Sequence, residues 1–169
     1  MKGNEEDMSD STDKGKHPSQ SRVTMAHSML PGDANVAGNV HGGVILKYID
    51  DAASMAAIRH CRALAVTASI DRLSFLEPVF IGELLLLKAS VNMVGTTSME
   101  VGVRAEAENV MTGEVRHTAS AYLTFVALDD DRNPARVPLL VPETEEDERR
   151  NREALARRKV RLMEKNREA

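Results

Sequence analysis

Two adjacent carboxylates, Asp50 and Asp51, lie in a stretch that is otherwise rich in Ala, Ile, Leu and Met. Neighbouring residues of a helix do not share a face, so the two side chains must point in different directions. Lys47 precedes Asp51 by one helical turn and can pair with it, which predicts a structural charge at Asp51. Asp50 instead shares its stripe with apolar residues: Leu46, Ala53 and Ala57. A buried, unpaired carboxylate is costly and such groups concentrate at functional sites, so Asp50 is a candidate for acid–base or nucleophilic chemistry. The alternative is a carboxylate satisfied by the sheet backbone or a partner subunit.

The segment before this stretch, LPGDANVAGNVHGG at residues 30–43, ends in the pair Gly42 and Gly43. Glycines at the start of a helix allow a ligand to approach the backbone, and the free N–H groups there favour negative charge. A carbonyl under nucleophilic attack gains negative charge, so the backbone N–H of Gly43 is a candidate oxyanion donor. An ordinary Gly-rich turn is the alternative interpretation.

Other residue types add little chemistry. His41 precedes the glycine pair and could line a site, whereas His60 and His117 are isolated, and no spacing indicates a metal. The sequence contains no G-x-S-x-G elbow, P-loop or dinucleotide motif. Cys61 is the only cysteine, which excludes an intrachain disulfide and predicts a small packing residue.

The composition is that of one soluble domain. The chain has 169 residues and a formal net charge of −4, which argues against a general affinity for nucleic acid or acidic membranes. No apolar run approaches a membrane span, and the N-terminal residues are polar rather than signal-like. We therefore expect a cytoplasmic protein.

The elements that position these residues follow from hydrophobic periodicity. Residues 42–61 predict one long buried helix, because the stretch is apolar on most sides and lacks Pro. Strand patterns are found at residues 23–30, 66–75, 84–94, 98–108 and 117–128, and the fourth alternates strictly, which predicts a half-buried strand. Short links between strands favour an antiparallel sheet and an α+β fold. One sheet covers only one side of such a helix, so we expect dimerisation edge to edge.

The two ends differ from this central segment. Residues 1–20 are polar and predict a disordered tail, and residues 21–142 form the compact domain. Residues 143–169 predict a charged helix capped by Thr144, with acids first and bases later, in agreement with the helix dipole. Its few apolar residues predict a solvated helix that frays. In the alternative, its basic face lies near a bound nucleotide or a neighbouring subunit.

Five segments together resemble a known family: DANVAGNVHGG, VILKYIDDAASMAA, SIDRLSFLEPVFIGELL, GTTSMEVGVRAEAENVMTGE and ASAYLTFVALDDDRNPARVP. They are similar to the acyl-CoA thioesterases of the cytosolic acyl-CoA hydrolase group, in one order over roughly residues 22–142. The resemblance implies a hotdog fold, in which the sheet wraps the long helix. It implies hydrolysis of acyl-CoA to a free fatty acid and coenzyme A, with coenzyme A part of the substrate and no separate cofactor.

The resemblance also implies particular site residues. Asn35, in the loop before the helix, and Asp50, on the helix, match the two side chains taken as catalytic in the family. A homodimer could supply one from each subunit, and further assembly would give a trimer of dimers. The coenzyme A nucleotide is expected at Gly95, Thr96, Thr97 and Ser98, with Arg72 and Arg104 as candidate phosphate partners. A plain hairpin and solvated arginines are the alternatives there.

Two other functions remain open at this level. One is a non-catalytic acyl-CoA sensor on the same fold, which would need neither Asn35 nor Asp50. The other is a hotdog dehydratase, whose chemistry usually relies on a His and an acid, whereas the helix has no His before His60.

Overall fold

The computed structural model describes residues 15–168. Its elements are β1 (Val23–Ser28), α1 (Gly42–Cys61), β2 (Leu64–Phe75), β3 (Leu84–Val94), β4 (Ser98–Asn109), β5 (Glu114–Leu128) and α2 (Glu145–Glu168), with short 3-10 turns at Pro18–Gln20 and Pro31–Asp33. Within the described range, no helix is long and apolar enough to cross a membrane.

The five strands form one antiparallel sheet in the order β1-β3-β4-β5-β2, and α1 packs against all five. The inward-facing residues of β4 and β5 are fully buried and small or apolar: Met99, Val101, Val103, Ala105, Ala107, Ala119, Ala121, Leu123, Phe125 and Ala127. This alternation places one face of the sheet on the helix. The predicted α+β arrangement of a sheet around one long helix is confirmed.

Helix α1 has the bounds that its sequence predicts. Its buried side is built largely from alanines, which allow the helix axis to approach the sheet closely, together with Ile45, Ile49 and His60. His41 caps the first turn, and the helix ends at Arg62 in the left-handed conformation (φ 55°). The helix therefore presents Asp50 from a rigid element in the middle of the domain.

The alternation in β4 predicts that the outer face of the sheet is in contact with solvent, but in the structure this face is partly covered. Glu100 is completely buried, because α2 lies across this face and covers it. Arg157 and Arg161 of α2 both contact the Glu100 carboxylate, and Ala154 of the same helix is fully buried. The expectation of a solvated C-terminal helix is thus wrong: ion pairs hold α2 where its apolar residues are too few.

The described chain begins inside the predicted tail. Residues 15–20 are placed against the rest of the molecule rather than forming the end of a disordered tail. Lys16 exchanges backbone hydrogen bonds with Leu139 and Val141, and its Nζ donates to the carbonyl of His60 at 2.7 Å. The backbone groups of Leu139, Val141 and His60 thus serve as hydrogen-bond partners that hold this segment in place. The rest of the predicted tail, residues 1–14, lies outside the described residues.

Candidate active site

Asp50 is half-buried on α1 and faces the edge strand β2. Its Oδ1 accepts a hydrogen bond from the Thr67 hydroxyl at 2.7 Å. Asp51, one residue on, pairs with Lys47 at 2.8 Å, as the sequence predicts, and this pair raises the pKa of Lys47. The two acids therefore differ in their partners. Asp51 forms an ion pair, whereas the only side-chain partner of Asp50 among the described residues is a hydroxyl.

Asn35 lies in a small loop whose residues hydrogen-bond to one another. Its Oδ1 accepts from the backbone N–H of Ala37 at 2.8 Å, and its Nδ2 donates to Asn39 Oδ1 at 2.6 Å. The first contact identifies the oxygen of the amide, because only an acceptor can face an N–H. The amide is thus held in one orientation, and its second N–H has no partner within residues 15–168.

The start of α1 carries a competing contact. The backbone N–H of Gly43 donates to His41 Nδ1 at 2.9 Å, so the predicted oxyanion donor is engaged by the helix cap. His41 is exposed, and rotation of its ring would release this N–H. Next to it, a side chain at Gly42 would lie 3.3 Å from the Phe75 ring, so the glycine keeps the helix start close to β2.

A cleft of about 350 Å³ opens at this end of the helix. Asn35, Gly42 and Phe75 line it, and Asp50 is not among its lining residues. A single chain therefore does not bring Asn35 and Asp50 into one cavity. Asn35 and Asp50 are both half-buried, so neither side chain is fully enclosed by the single chain.

Strand β2 is one of the two edges of the sheet, and β1 is the other. Strand β2 pairs only with β5 among the described strands, and most of its residues are exposed, including Val66, Ile70 and Phe75. Thr67 lies on this strand, so the contact between Thr67 and Asp50 is at the same edge. An unpaired strand carrying apolar side chains is a surface on which another strand can add.

The predicted nucleotide turn between β3 and β4 is tightly bonded. Gly95 N donates to Ser98 O at 2.7 Å, while the carbonyls of Thr96 and Thr97 accept from Val137 and Ala127. Thr96 is exposed, and Thr97 and Ser98 are half-buried. A side chain at Gly95 would lie 3.1 Å from the Arg158 guanidinium, so α2 brings a cation to this turn.

The two arginines predicted as phosphate partners lie elsewhere. Arg72 of β2 is paired with Tyr122 of β5, and Tyr122 is paired with Gly102 of β4. Gly102 is four residues, or about 13 Å, along β4 from Ser98. Arg104 pairs with Glu106 at 2.7 Å and, with Lys88, lowers the pKa of that carboxylate. The turn lies at the end of the sheet, whereas both arginines belong to the middle of their strands.

Two residues of interest were missed from the sequence alone. Thr67 follows Asp50 by 17 residues in an alternating strand, and nothing local distinguishes its hydroxyl from others. Arg158 is one of many bases in α2, and only the packing of that helix places it at the turn. Both contacts are long-range, so no periodicity could have indicated them.

Comparison with known proteins settles the family. A family model described as the thioesterase superfamily matches residues 37–114. YkhA of Bacillus subtilis, which is named an uncharacterised acyl-CoA thioester hydrolase, is 45% identical over 128 residues, which are 76% of this chain and 74% of that protein. The chain belongs to the thioesterase superfamily. Within it, the chain falls among the acyl-CoA thioester hydrolases; a rat relative named as cytosolic is 35% identical, and 37% of its length is matched.

Solved structures agree in fold over nearly the whole chain. The acyl-CoA hydrolase of Staphylococcus aureus, solved with butyryl coenzyme A and coenzyme A, is 35% identical with a TM-score of 0.84, covering 91% of this chain and 96% of that one. A hexameric acyl-CoA thioesterase is 38% identical with a TM-score of 0.87, covering 89% and 97%. The hotdog fold is confirmed.

The Staphylococcus aureus enzyme has been solved as three variants in which an Asn, an Asp or a Thr is replaced by alanine. In its sequence the Asn precedes the Asp by 15 residues, and the Asp precedes the Thr by 17. Asn35, Asp50 and Thr67 stand in the same order with the same two spacings.

Proposed function

We propose that this chain hydrolyses acyl-CoA thioesters to a free carboxylic acid and coenzyme A, with Asp50 and Asn35 at the reacting carbonyl. The observation that carries this proposal is the match of Asn35, Asp50 and Thr67, in residue type and spacing, to the three residues replaced in the Staphylococcus aureus hydrolase. The contact between Thr67 and Asp50 supports it independently, because it ties two of the three residues together in space.

Asp50 is the group that takes part in bond making. As a general base it removes a proton from water while the water oxygen attacks the thioester carbon. The C–S bond then breaks, and the sulfur takes up that proton, so coenzyme A leaves as the thiol. As a nucleophile its oxygen would attack the thioester carbon and expel the coenzyme A thiolate, which leaves an acyl anhydride. Water would then hydrolyse the anhydride to the free acid and regenerate the Asp50 carboxylate. In either route Thr67 holds the carboxylate by its hydroxyl, and a positioned base commonly contributes about 10²–10⁴-fold to the rate.

Asn35 is suited to donate rather than to accept. Its oxygen already receives the Ala37 N–H, so the remaining amide N–H is the group available to a water or to the thioester oxygen. Gly43 can add a backbone N–H to the same oxyanion once His41 releases it. No cofactor is required for this chemistry, because a carboxylate, an amide and water suffice.

We further propose a homodimer in which β2 strands of two subunits join the sheets, and in which Asn35 of one subunit meets Asp50 of the other. The open β2 edge and the separation of Asn35 from Asp50 in one chain support this arrangement. The hexameric relative supports further assembly into a trimer of dimers. The cytosolic name of the rat relative supports a cytoplasmic location.

The experiment is incubation with acyl-CoAs of increasing chain length while free thiol is followed with a thiol reagent. Thiol release by the wild-type protein and its loss in Asp50→Asn are the expected results. Binding of acyl-CoA without release would instead identify a sensor. A change in chain unsaturation with the thioester intact would identify a dehydratase.

A further inference from the structure

Two asparagines face each other across the loop that precedes α1. The Asn35 backbone N–H donates to the Asn39 carbonyl at 2.8 Å, and Ala34 and Val40 form an antiparallel bridge beside this contact. The backbone therefore closes the loop into a narrow turn and places the two side chains together. The amide nitrogen of the Asn35 side chain, Nδ2, donates to Asn39 Oδ1 at 2.6 Å.

The direction of the bond between the two side chains follows from a third contact. Asn35 Oδ1 receives the backbone N–H of Ala37 at 2.8 Å, so the Asn35 amide turns its nitrogen toward Asn39. Asn39 therefore presents its oxygen, and the Asn35 amide is held at both ends. Because a carboxamide is planar, these two contacts also fix the direction of the second N–H of Asn35.

Asn39 makes this contact beside the cleft. Its side chain is half-buried, and both asparagines line the cleft at the start of α1. Within residues 15–168, Asn35 is the only hydrogen-bond partner of the Asn39 side chain. The cap of α1 comes from His41 instead. The hydrogen bond of the Asn39 side chain thus serves the orientation of Asn35 rather than the framework of the fold.

From these contacts we infer that Asn39 is a positioning residue for the reaction and that it acts through Asn35. It holds the amide so that the remaining N–H keeps one direction toward the thioester oxygen or the attacking water. A donor that is oriented before the substrate binds stabilises developing charge without reorganisation. The inference rests on the proposed function, since it takes Asn35 to act at the reacting carbonyl. It holds whichever subunit supplies Asp50, because both asparagines belong to one loop.

The test is a double-mutant cycle measured on butyryl-CoA. Asn35→Ala removes the donor and should lower kcat by about 10²–10³-fold. Asn39→Ala removes one hydrogen bond to that donor and should lower kcat by about ten-fold, with KM within about two-fold. In the Asn35→Ala background, Asn39→Ala should change kcat by less than about two-fold, because no amide is left to orient.

Val36→Ala is the matched control, because Val36 is an exposed residue of the same loop and does not line the cleft. It should keep kcat within about two-fold of the wild-type value. A loss on Asn39→Ala that persists in the Asn35→Ala background would overturn the inference, because Asn39 would then act on the substrate or on the loop itself. An unchanged kcat in Asn39→Ala, or an equal loss in Val36→Ala, would also overturn it.

Crystal structures of two variants give a readout without turnover. Asn39→Asp keeps an acceptor at the same position, so the Asn35 amide should keep its orientation, whereas in Asn39→Ala it should occupy more than one rotamer. An amide that stays fixed in Asn39→Ala would refute the positioning role. A wild-type protein that releases no thiol would refute the proposed hydrolysis, and the orientation of Asn35 in the two variants would still decide whether Asn39 holds it.

Discussion

Asp50 and Asp51 show how adjacent residues of one helix acquire different chemistry. Asp51 is 45% exposed and paired with Lys47, so its charge is neutralised at the surface. Asp50 has a single hydroxyl partner, Thr67, which orients the carboxylate without adding an opposing charge. A carboxylate that is oriented and has no cation beside it is suited to act on a water molecule in the proposed hydrolysis.

Replacing Asp50 by Asn should lower kcat for acyl-CoA hydrolysis by about 10²–10⁴-fold, because the amide cannot take up a proton. KM should change little, since the shape of the side chain is kept. The measurement is initial-rate thiol release at several substrate concentrations. Asp51→Asn is the control: it removes the same charge one residue away and should leave kcat within about two-fold. Equal activities of the two variants would exclude Asp50 from the chemistry.

At the scale of elements, α2 is held to the sheet by charges. Glu100 has no exposed surface, and both of its cations come from α2. Arg157 also stacks on Tyr122, with the guanidinium carbon 3.7 Å from the ring centroid. Near its start, Asn151 donates to the carbonyl of Asn92 at 2.9 Å. The helix therefore has specific anchors at several points along the outer face.

Replacing Arg157 by Met should lower the free energy of unfolding by about 2 kcal/mol. Removing the only partner of a buried charge costs about 3–5 kcal/mol. The expected cost is smaller here because Arg161 still contacts Glu100 in the variant. Urea unfolding at fixed protomer concentration measures this difference in the free energy of unfolding. Arg152→Met, at an exposed position, should have an effect below about 0.5 kcal/mol. The double variant Arg157→Met with Glu100→Gln should recover part of the loss, and failure to do so would argue that packing on Tyr122, not charge, anchors the helix.

The contrast between α1 and α2 explains what the sequence can predict. The bounds of α1 and of β3 follow from local periodicity, because each buries a continuous set of apolar residues against one core. Glu100 alternates with apolar residues and so looks solvent-facing, and its partners lie 57 and 61 residues away. Asp50 could be singled out from its stripe, but its contact with Thr67 and its separation from Asn35 depend on the packing of different elements. Long-range pairing of polar groups leaves no periodic signal in the sequence.

At the scale of the whole molecule, Asn35 and Asp50 do not line the same cleft of one chain, and the proposed homodimer would bring them together. If each site takes Asn35 from one subunit and Asp50 from the other, an Asn35→Ala subunit and an Asp50→Asn subunit together form one intact site. Random mixing through unfolding and refolding should then restore about a quarter of wild-type activity from two inactive proteins. The measurement is thiol release before and after mixing, with each variant refolded alone as the control. Absence of recovery in mixed dimers would place both residues in one chain's site.

His60 predicts a pH dependence of stability. It is fully buried, its Nε2 donates to the carbonyl of Pro138 at 3.0 Å, and burial lowers its pKa below the ordinary value of 6.5. The unfolded chain therefore takes up a proton near pH 6.5 that the folded protein refuses, so stability is full above this pH and falls as the pH drops below it.

The free energy of unfolding of the wild-type protein should therefore decrease between pH 7.5 and pH 5.5, a window above the range in which carboxylates titrate. His60→Gln keeps a donor toward Pro138 and removes the titration, so its stability should be lower at pH 7.5 but flatter across this window. Urea unfolding at both pH values, at equal protomer concentration, provides the comparison. A variant as steep as the wild-type protein would assign the slope to other groups.

The covering of Glu100 by α2 has a consequence for the order in which the chain is made. All five strands leave the ribosome before residues 145–168 do, so the sheet and α1 can close their core while Glu100 and Asp71 are still in water. The outer face of the nascent domain is then polar and hydrated, and it offers little to the hydrophobic contacts that cause aggregation during synthesis. The arginines arrive last and on one helix, so the two acids lose their water only as their partners replace it. If α2 docks last, those charges are never buried without their partners.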